Sequence, residues 1–167
     1  MKTKLNMGSG GRPMGKPGND WEDLDVRDWV DTHDHKPYKP DIVADCRSVP
    51  RKDGTYEVVL LHSVLEHFNK IEYKDVLKEC YRLLKDDGRL ILSVPDMLRV
   101  SKGLIERPEN TNLINLIYGE QDFSENQHKW GWTEKTLITD LKSIGFITVS
   151  RLKSVRYPQE LYMEATK

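Results

Sequence analysis

Tyr56-Glu57-Val58-Val59-Leu60-Leu61 opens the stretch that decides the fold; Asn69-Lys70-Ile71-Glu72 follows, and Arg89-Leu90-Ile91-Leu92-Ser93-Val94 closes it. The unbroken apolar run from Val58 to Leu61 is what a parallel strand covered on both faces looks like. Asn69 with Glu72 three residues later predicts a capping box, Asn standing where Ser or Thr is usual. Tyr73, Val76, Leu77, Cys80, Leu83 and Leu84 then recur at helical spacing on one face. Asp86-Asp87-Gly88 predicts the helix end, and Arg89–Val94 a second apolar strand. Strand, a helix of about sixteen residues, and strand make a βαβ unit, so the sheet is parallel at its centre.

Towards the N-terminus, residues 3–7, 21–26 and 41–45 predict three more short strands. Beyond Pro95-Asp96, one or two helices are expected in 97–119, separated by Pro108 and Asn110. Thr133 caps a later helix whose buried stripe is Leu137, Ile138, Leu141 and Ile144, and Gly145 stops it. Phe146–Leu152 and Leu161–Thr166 predict the closing strands. About eight residues join them, too few for a helical crossover, so the last strand should run antiparallel.

Two helices are missing from this pattern. Residues 9–20 contain Pro13, Gly15, Pro17 and Gly18, and residues 27–40 contain Pro37 and Pro40, so neither connection accommodates a useful helix. None precedes the first strand either. By the right-handed crossover rule all of these would have covered one face of the sheet. Lys4 and Asn6 alternate with Leu5 and Met7, which predicts a partly wet face on strand one. Apolar surface left on that side should attract a second copy of the chain, making a homodimer.

With 167 residues the chain is expected to form a single domain over 1–167. A net charge of −1 gives no general reason to expect nucleic-acid or anionic-membrane binding. No apolar run approaches a membrane span, and the polar beginning is unlike a signal peptide. Cys46 and Cys80 are isolated and read as reduced thiols of a cytoplasmic protein. No His/Cys cluster stands at zinc-ligand spacing, so no metal site is predicted. Leu5-Asn6-Met7-Gly8-Ser9-Gly10-Gly11 runs a strand into a glycine turn, with Asp25 at the end of the next strand. That pairing suits an adenosine-containing ligand. On the residues alone, the turn also fits ordinary loop punctuation, and Asp25 and Asp45 also fit solvated strand ends.

Leu5-Asn6-Met7-Gly8-Ser9-Gly10, Leu24-Asp25, Asp41-Ile42-Val43-Ala44-Asp45 and His62-Ser63-Val64-Leu65-Glu66-His67-Phe68 form an ordered series. Tyr81-Arg82-Leu83-Leu84-Lys85-Asp86-Asp87-Gly88-Arg89-Leu90 and Ser93-Val94-Pro95-Asp96 extend it. In this order and spacing they resemble the small class I S-adenosylmethionine-dependent methyltransferases of the type 11 kind, over essentially the whole chain. The resemblance implies an α/β fold: a Rossmann-like, mostly parallel sheet with an antiparallel last strand, here lacking the helices on one side of the N-terminal half. It implies S-adenosyl-L-methionine as cofactor. Gly8 and Gly10 would pack against its methionine and ribose, Asp25 would accept both ribose hydroxyls, and Asp45 the adenine amino group. Cys46 would lie beside the ring, and His62 and Ser63 near the reactive methyl, with Met7, Ser9 and Val26 completing the set.

An oxygen or nitrogen acceptor needs a base near neutral pKa. His62, His67 and His128 are the catalytic candidates, with Asp96 behind them; His67 also suits a purely structural tether. His128 lies in Gln127-His128-Lys129-Trp130-Gly131-Trp132, a segment that could fold over the pocket or simply anchor a loop on the core. The acceptor is expected to be a small molecule or saccharide, by family association. Nucleic acid is disfavoured, because an Asn/Asp-Pro-Pro-Tyr signature and a Pro-Cys nucleophile are both absent. Two rivals stand beside this reading. One is a non-catalytic cofactor-binding or interaction module. The other, an NAD-dependent oxidoreductase, suffers from the missing third glycine after Gly8-Ser9-Gly10-Gly11 and from the absent helix dipole.

Overall fold

A computed structural model describes residues 2–31, 33, 35–154 and 157–167. The reading of 27–40 as helix-free includes Thr32 and Asp34, which lie outside the described residues. The central unit is β6 (Tyr56–His62), α1 (Glu72–Leu83) and β7 (Leu84–Pro95), with the two strands parallel. Asn69 Oδ1 accepts from the backbone N–H groups of Ile71 and Glu72 at 2.9 and 3.1 Å, and Glu72 Oε2 accepts from Asn69 N at 3.2 Å. The capping box is therefore present.

The helix ends earlier than its apolar pattern implies. Leu84 is already extended and pairs with Tyr56, so Asp86-Asp87-Gly88 falls within the strand rather than after the helix. Tertiary partners replace the last helical turn: Gly54 N–H donates to Arg82 O at 3.0 Å and Lys167 Nζ to Leu84 O at 2.8 Å. Arg82 joins Glu79, Asp53 and the carbonyls of Val49 and Arg51.

Around this unit lie β1 (Lys4–Met7), β2 (Trp21–Asp25), β5 (Ile42–Val43), β8 (Thr148–Arg151) and β9 (Glu160–Thr166). The sheet order is β5-β2-β1-β6-β7-β9-β8. β9 alone runs antiparallel, inserted between β7 and β8. A separate short hairpin pairs β3 (Trp29–Val30) with β4 (Pro37–Tyr38). α2 (Met97–Glu106) and α3 (Thr111–Tyr118) follow β7, capped by Asp96 and Asn110. α4 (Glu134–Ile144) carries a Thr133/Thr136 capping box and stops at Gly145.

One face of the sheet holds the core. Leu5, Met7, Leu24, Val59, Leu61, Leu90, Leu92 and Met163 pack there with Val76, Leu77 and Leu83 of α1 and Leu137 and Leu141 of α4. Each such side chain contributes about 1.5–3 kcal/mol by burial. Asp140 of α4 ties this layer together, accepting from Tyr73 OH and Trp132 Nε1, both at 2.9 Å.

Among the described residues no helix lies between β1 and β5, as the prolines require. The face over β1 and β2 is nonetheless not wet. Asn6 is buried at 4% exposure and donates to Asp23 Oδ1 at 2.7 Å, and Asp23 also accepts from Met14 N and Gly15 N at 2.9 and 2.5 Å. The expectation of a partly solvated Asn6 is thereby corrected: the buried Asp23 carboxylate pins the 11–19 loop where a helix would lie. Further along, Leu60, Ile91 and Tyr162 leave the same face only half-buried.

Candidate functional site

The carboxyl ends of β1, β2, β5 and β6 meet at one edge of the sheet, the usual ligand crevice of an open α/β fold. A cavity of about 580 Å³ opens there, walled by Gly8, Gly10, Asp25, Val26, Asp45, Cys46 and Ser63 among others. These are seven of the ten cofactor positions expected from the sequence. Met7 is fully buried in the core and Ser9 is 5% exposed; neither lines the cavity. His62 lies outside it too, its Nδ1 at 2.8 Å from Ser93 Oγ and its ring edge-on to Tyr162.

Gly8 is required twice over. Its φ is +75°, and an added Cβ would sit 2.6 Å from Val64 Cγ2. Gly10, at φ +51°, would meet nothing within 4 Å, so the turn leaves room for a ligand. Asp25 is 6% exposed and its two oxygens accept from Gly10 N and Val26 N, both at 2.7 Å. A carboxylate has about four acceptor positions, so capacity remains for ligand hydroxyls. Asp45 is more committed: Arg47 grips it through Nε and Nη2 at 3.0 and 2.7 Å and holds its pKa down, while also reaching Glu72 at 2.8 Å. Burial, with Asp25 and Asp45 nearby, pushes the Cys46 thiol up, so it is no nucleophile.

The opposite wall was not legible from the residues alone. The Arg27 guanidinium lies over both Trp29 and Phe123, 4.4 and 5.1 Å from their ring centres, and the two rings meet edge-on at 5.7 Å. Trp29 Nε1 is buried without a partner among the described residues, and its ring lines the cavity. An aromatic following Asp25-Val26 in an otherwise polar loop was the available signal.

A second cavity of about 550 Å³ adjoins the first, between the end of β7, the α2–α3 hairpin and residues 157–159. Its lining mixes the polar side chains of Arg107, Asn110, Asn112, Asn115, Glu120 and Gln159 with apolar surface from Pro95, Leu113 and Leu116. Ser63 lines both cavities and carries a left-handed backbone, φ +54°, rare for a residue with a side chain. Glu66 and His128 face the second cavity and His67 the first. The segment carrying His128 is held in place by Lys129 N donating to Glu66 O at 2.7 Å and by the fully anchored Trp132. The His67 and His128 rings stand edge-to-face at 4.9 Å. Burial keeps both imidazoles below their ordinary value, His67 down to about 4, and pushes the Glu66 carboxyl up to about 8.

The family profile of the methyltransferase domain matches residues 25–92. A search of curated protein sequences finds no match. Among solved structures, an S-adenosylmethionine-dependent methyltransferase from Archaeoglobus fulgidus is 15% identical, with 99% of this chain and 86% of that one covered and a TM-score of 0.65. A Methanosarcina mazei S-adenosylmethionine-dependent methyltransferase is 16% identical, covering 100% and 93%, TM-score 0.61. The Burkholderia thailandensis 1,6-didemethyltoxoflavin-N1-methyltransferase, solved with 1,6-didemethyltoxoflavin and S-adenosylhomocysteine, is 15% identical, covering 99% and 70%, TM-score 0.60. At such identities the likeness is one of fold. The chain carries the fold of the class I S-adenosylmethionine-dependent methyltransferases, with the methyltransferase-domain match running from Asp25 to Leu92.

Proposed function

We propose that the protein is an S-adenosyl-L-methionine-dependent methyltransferase acting on an oxygen or nitrogen of a small molecule or saccharide. The observation that carries this reading is the pair of adjoining cavities meeting at Ser63. Gly8, Gly10 and Asp25 hold the cofactor in the first cavity, Asp25 accepting from ribose hydroxyls, and Val26, Asp45 and Cys46 border its base. The bound cofactor supplies a methyl group on a sulfonium, already activated for displacement. Alignment of the acceptor then supplies most of the catalysis. The polar side chains of the second cavity bind and orient that acceptor between the α2–α3 hairpin and the segment carrying His128. His67 and His128, neutral near pH 7, stand where a proton leaving the acceptor can be taken up.

Incubating a small-molecule extract with deuteromethyl-labelled cofactor tests this. A labelled product formed by the wild type and lost in Asp25→Ala is expected; no labelled product from a protein shown to bind the cofactor would favour a non-catalytic module. The half-buried Leu60, Ile91 and Tyr162 face suits a second copy of the chain, so light scattering should report a dimer. Among the described residues no helix is long and apolar enough to cross a membrane. Free, buried Cys46 and Cys80 suit a reducing, cytoplasmic setting.

A further inference from the structure

We propose that Glu66, His67 and His128 bind one divalent first-row transition-metal ion at the junction of the two cavities, where it meets an acceptor hydroxyl. The sequence hides this group, because His128 is remote from the adjacent Glu66 and His67. The fold brings one ligand atom from each to within 4.8 Å of one another. Ligands on one ion at about 2.1 Å lie about 3.0–3.4 Å apart, so small side-chain rotations close the site.

Three independent features point to an ion. First, Glu66 is 1% exposed and its Oε2 has no hydrogen-bond partner among the described residues, an arrangement that costs stability unless something answers it. Second, each imidazole is oriented through a backbone carbonyl. His67 Nδ1 lies 3.2 Å from Gln127 O and His128 Nδ1 lies 3.1 Å from Leu116 O. A carbonyl can only accept, so in each ring Nδ1 carries the hydrogen and Nε2 keeps its lone pair, the usual support for a metal-bound histidine. Third, the backbone around the three residues is fixed independently of any ligand. His67 N bonds Val64 O, His128 N bonds Tyr118 O, and Lys129 N bonds Glu66 O. Two imidazoles and one carboxylate suit manganese, iron, cobalt or zinc better than calcium or magnesium, and leave positions open towards the second cavity.

This inference rests on the methyltransferase reading for its chemical role. An acceptor hydroxyl drawn to the ion is acidified and gives its proton to water. Its oxygen lone pair then forms the O–CH3 bond while the S–CH3 bond breaks, the pair passing to sulfur to leave a neutral thioether. With the ion bound, His67 and His128 serve as ligands and water takes the proton.

The test uses the full chain, stripped with a chelator and titrated with Co2+ while the visible absorption and the heat are recorded. Parallel titrations use S-adenosylhomocysteine. One Co2+ per chain is expected, with the d–d bands of nitrogen and oxygen ligation. Binding should weaken at least tenfold in Glu66→Gln and in His128→Gln, with circular dichroism confirming that both fold. Absence of Co2+ binding, or binding unchanged in both variants, overturns the site. S-adenosylhomocysteine binding without Co2+ binding overturns this inference and leaves the methyltransferase reading standing. Co2+ binding with no S-adenosylhomocysteine binding supports the site and defeats that reading.

Discussion

Gly8→Ala should be among the costliest single-methyl additions in the chain, for two separable reasons. At φ +75° an alanine occupies left-handed backbone, which costs about 1–2 kcal/mol. Its Cβ also falls 2.6 Å from Val64 Cγ2 and 2.9 Å from Cγ1, far inside normal contact, and Val64 is only 9% exposed. Forcing such a contact in a packed region costs about 1–3 kcal/mol more. The two contributions separate in a double-mutant cycle, because Val64→Ala removes both methyls that the new Cβ would meet. Urea unfolding of the four proteins gives the comparison. Gly8→Ala should cost about 2–5 kcal/mol in the wild type and about 1–2 kcal/mol in the Val64→Ala background. An equal cost in both backgrounds would refute the argument that Val64 sets the space behind the glycine turn.

Asp23→Ala should lower stability by about 2–4 kcal/mol in urea unfolding, since it strips Asn6, Met14 N and Gly15 N of a buried acceptor. Asp140→Ala leaves the indole N–H of Trp132 buried without its acceptor, and a loss of about 1–3 kcal/mol is expected from the same measurement. Burial holds the His62 imidazole below its ordinary value, against the opposing pull of Glu160. Below about pH 6.5 the unfolded chain therefore takes up a proton that the folded state resists, and stability falls by at most about 1.4 kcal/mol per pH unit. Chemical unfolding from pH 7.5 down to 5.5 should show that slope reduced in His62→Gln. An unchanged slope would assign it to other groups.

The sheet was legible because its strands are apolar runs set off by strong punctuation: the Asn69/Glu72 box, Thr133, Gly145 and the prolines of residues 9–20 and 27–40. Helix-end reading failed at Leu84, where the apolar pattern continues but Gly54 and Lys167 capture the carbonyls that another turn would have used. Asn6 misled for a related reason. A polar side chain in a strand suggests water, and here the partner is Asp23, seventeen residues along the chain. Of the site, the glycine turn and strand-end carboxylates were readable because their spacing within a βα-type sheet is regular. Arg27, Trp29 and Phe123 were not, since their meeting depends on two irregular loops folding against each other. The approach of His128 to Glu66 and His67 depends equally on the 127–130 segment returning to the end of β6.

Calorimetric titration with S-adenosylhomocysteine, on wild type and Asp25→Asn side by side, decides whether the glycine turn and Asp25 hold the cofactor. One site per chain is expected in the wild type. Binding should be weaker by about tenfold or more in the variant, the loss of roughly one charge-assisted hydrogen bond at 1.5–3 kcal/mol. Heat from NADH and none from S-adenosylhomocysteine, or equal affinity in the two proteins, would contradict it.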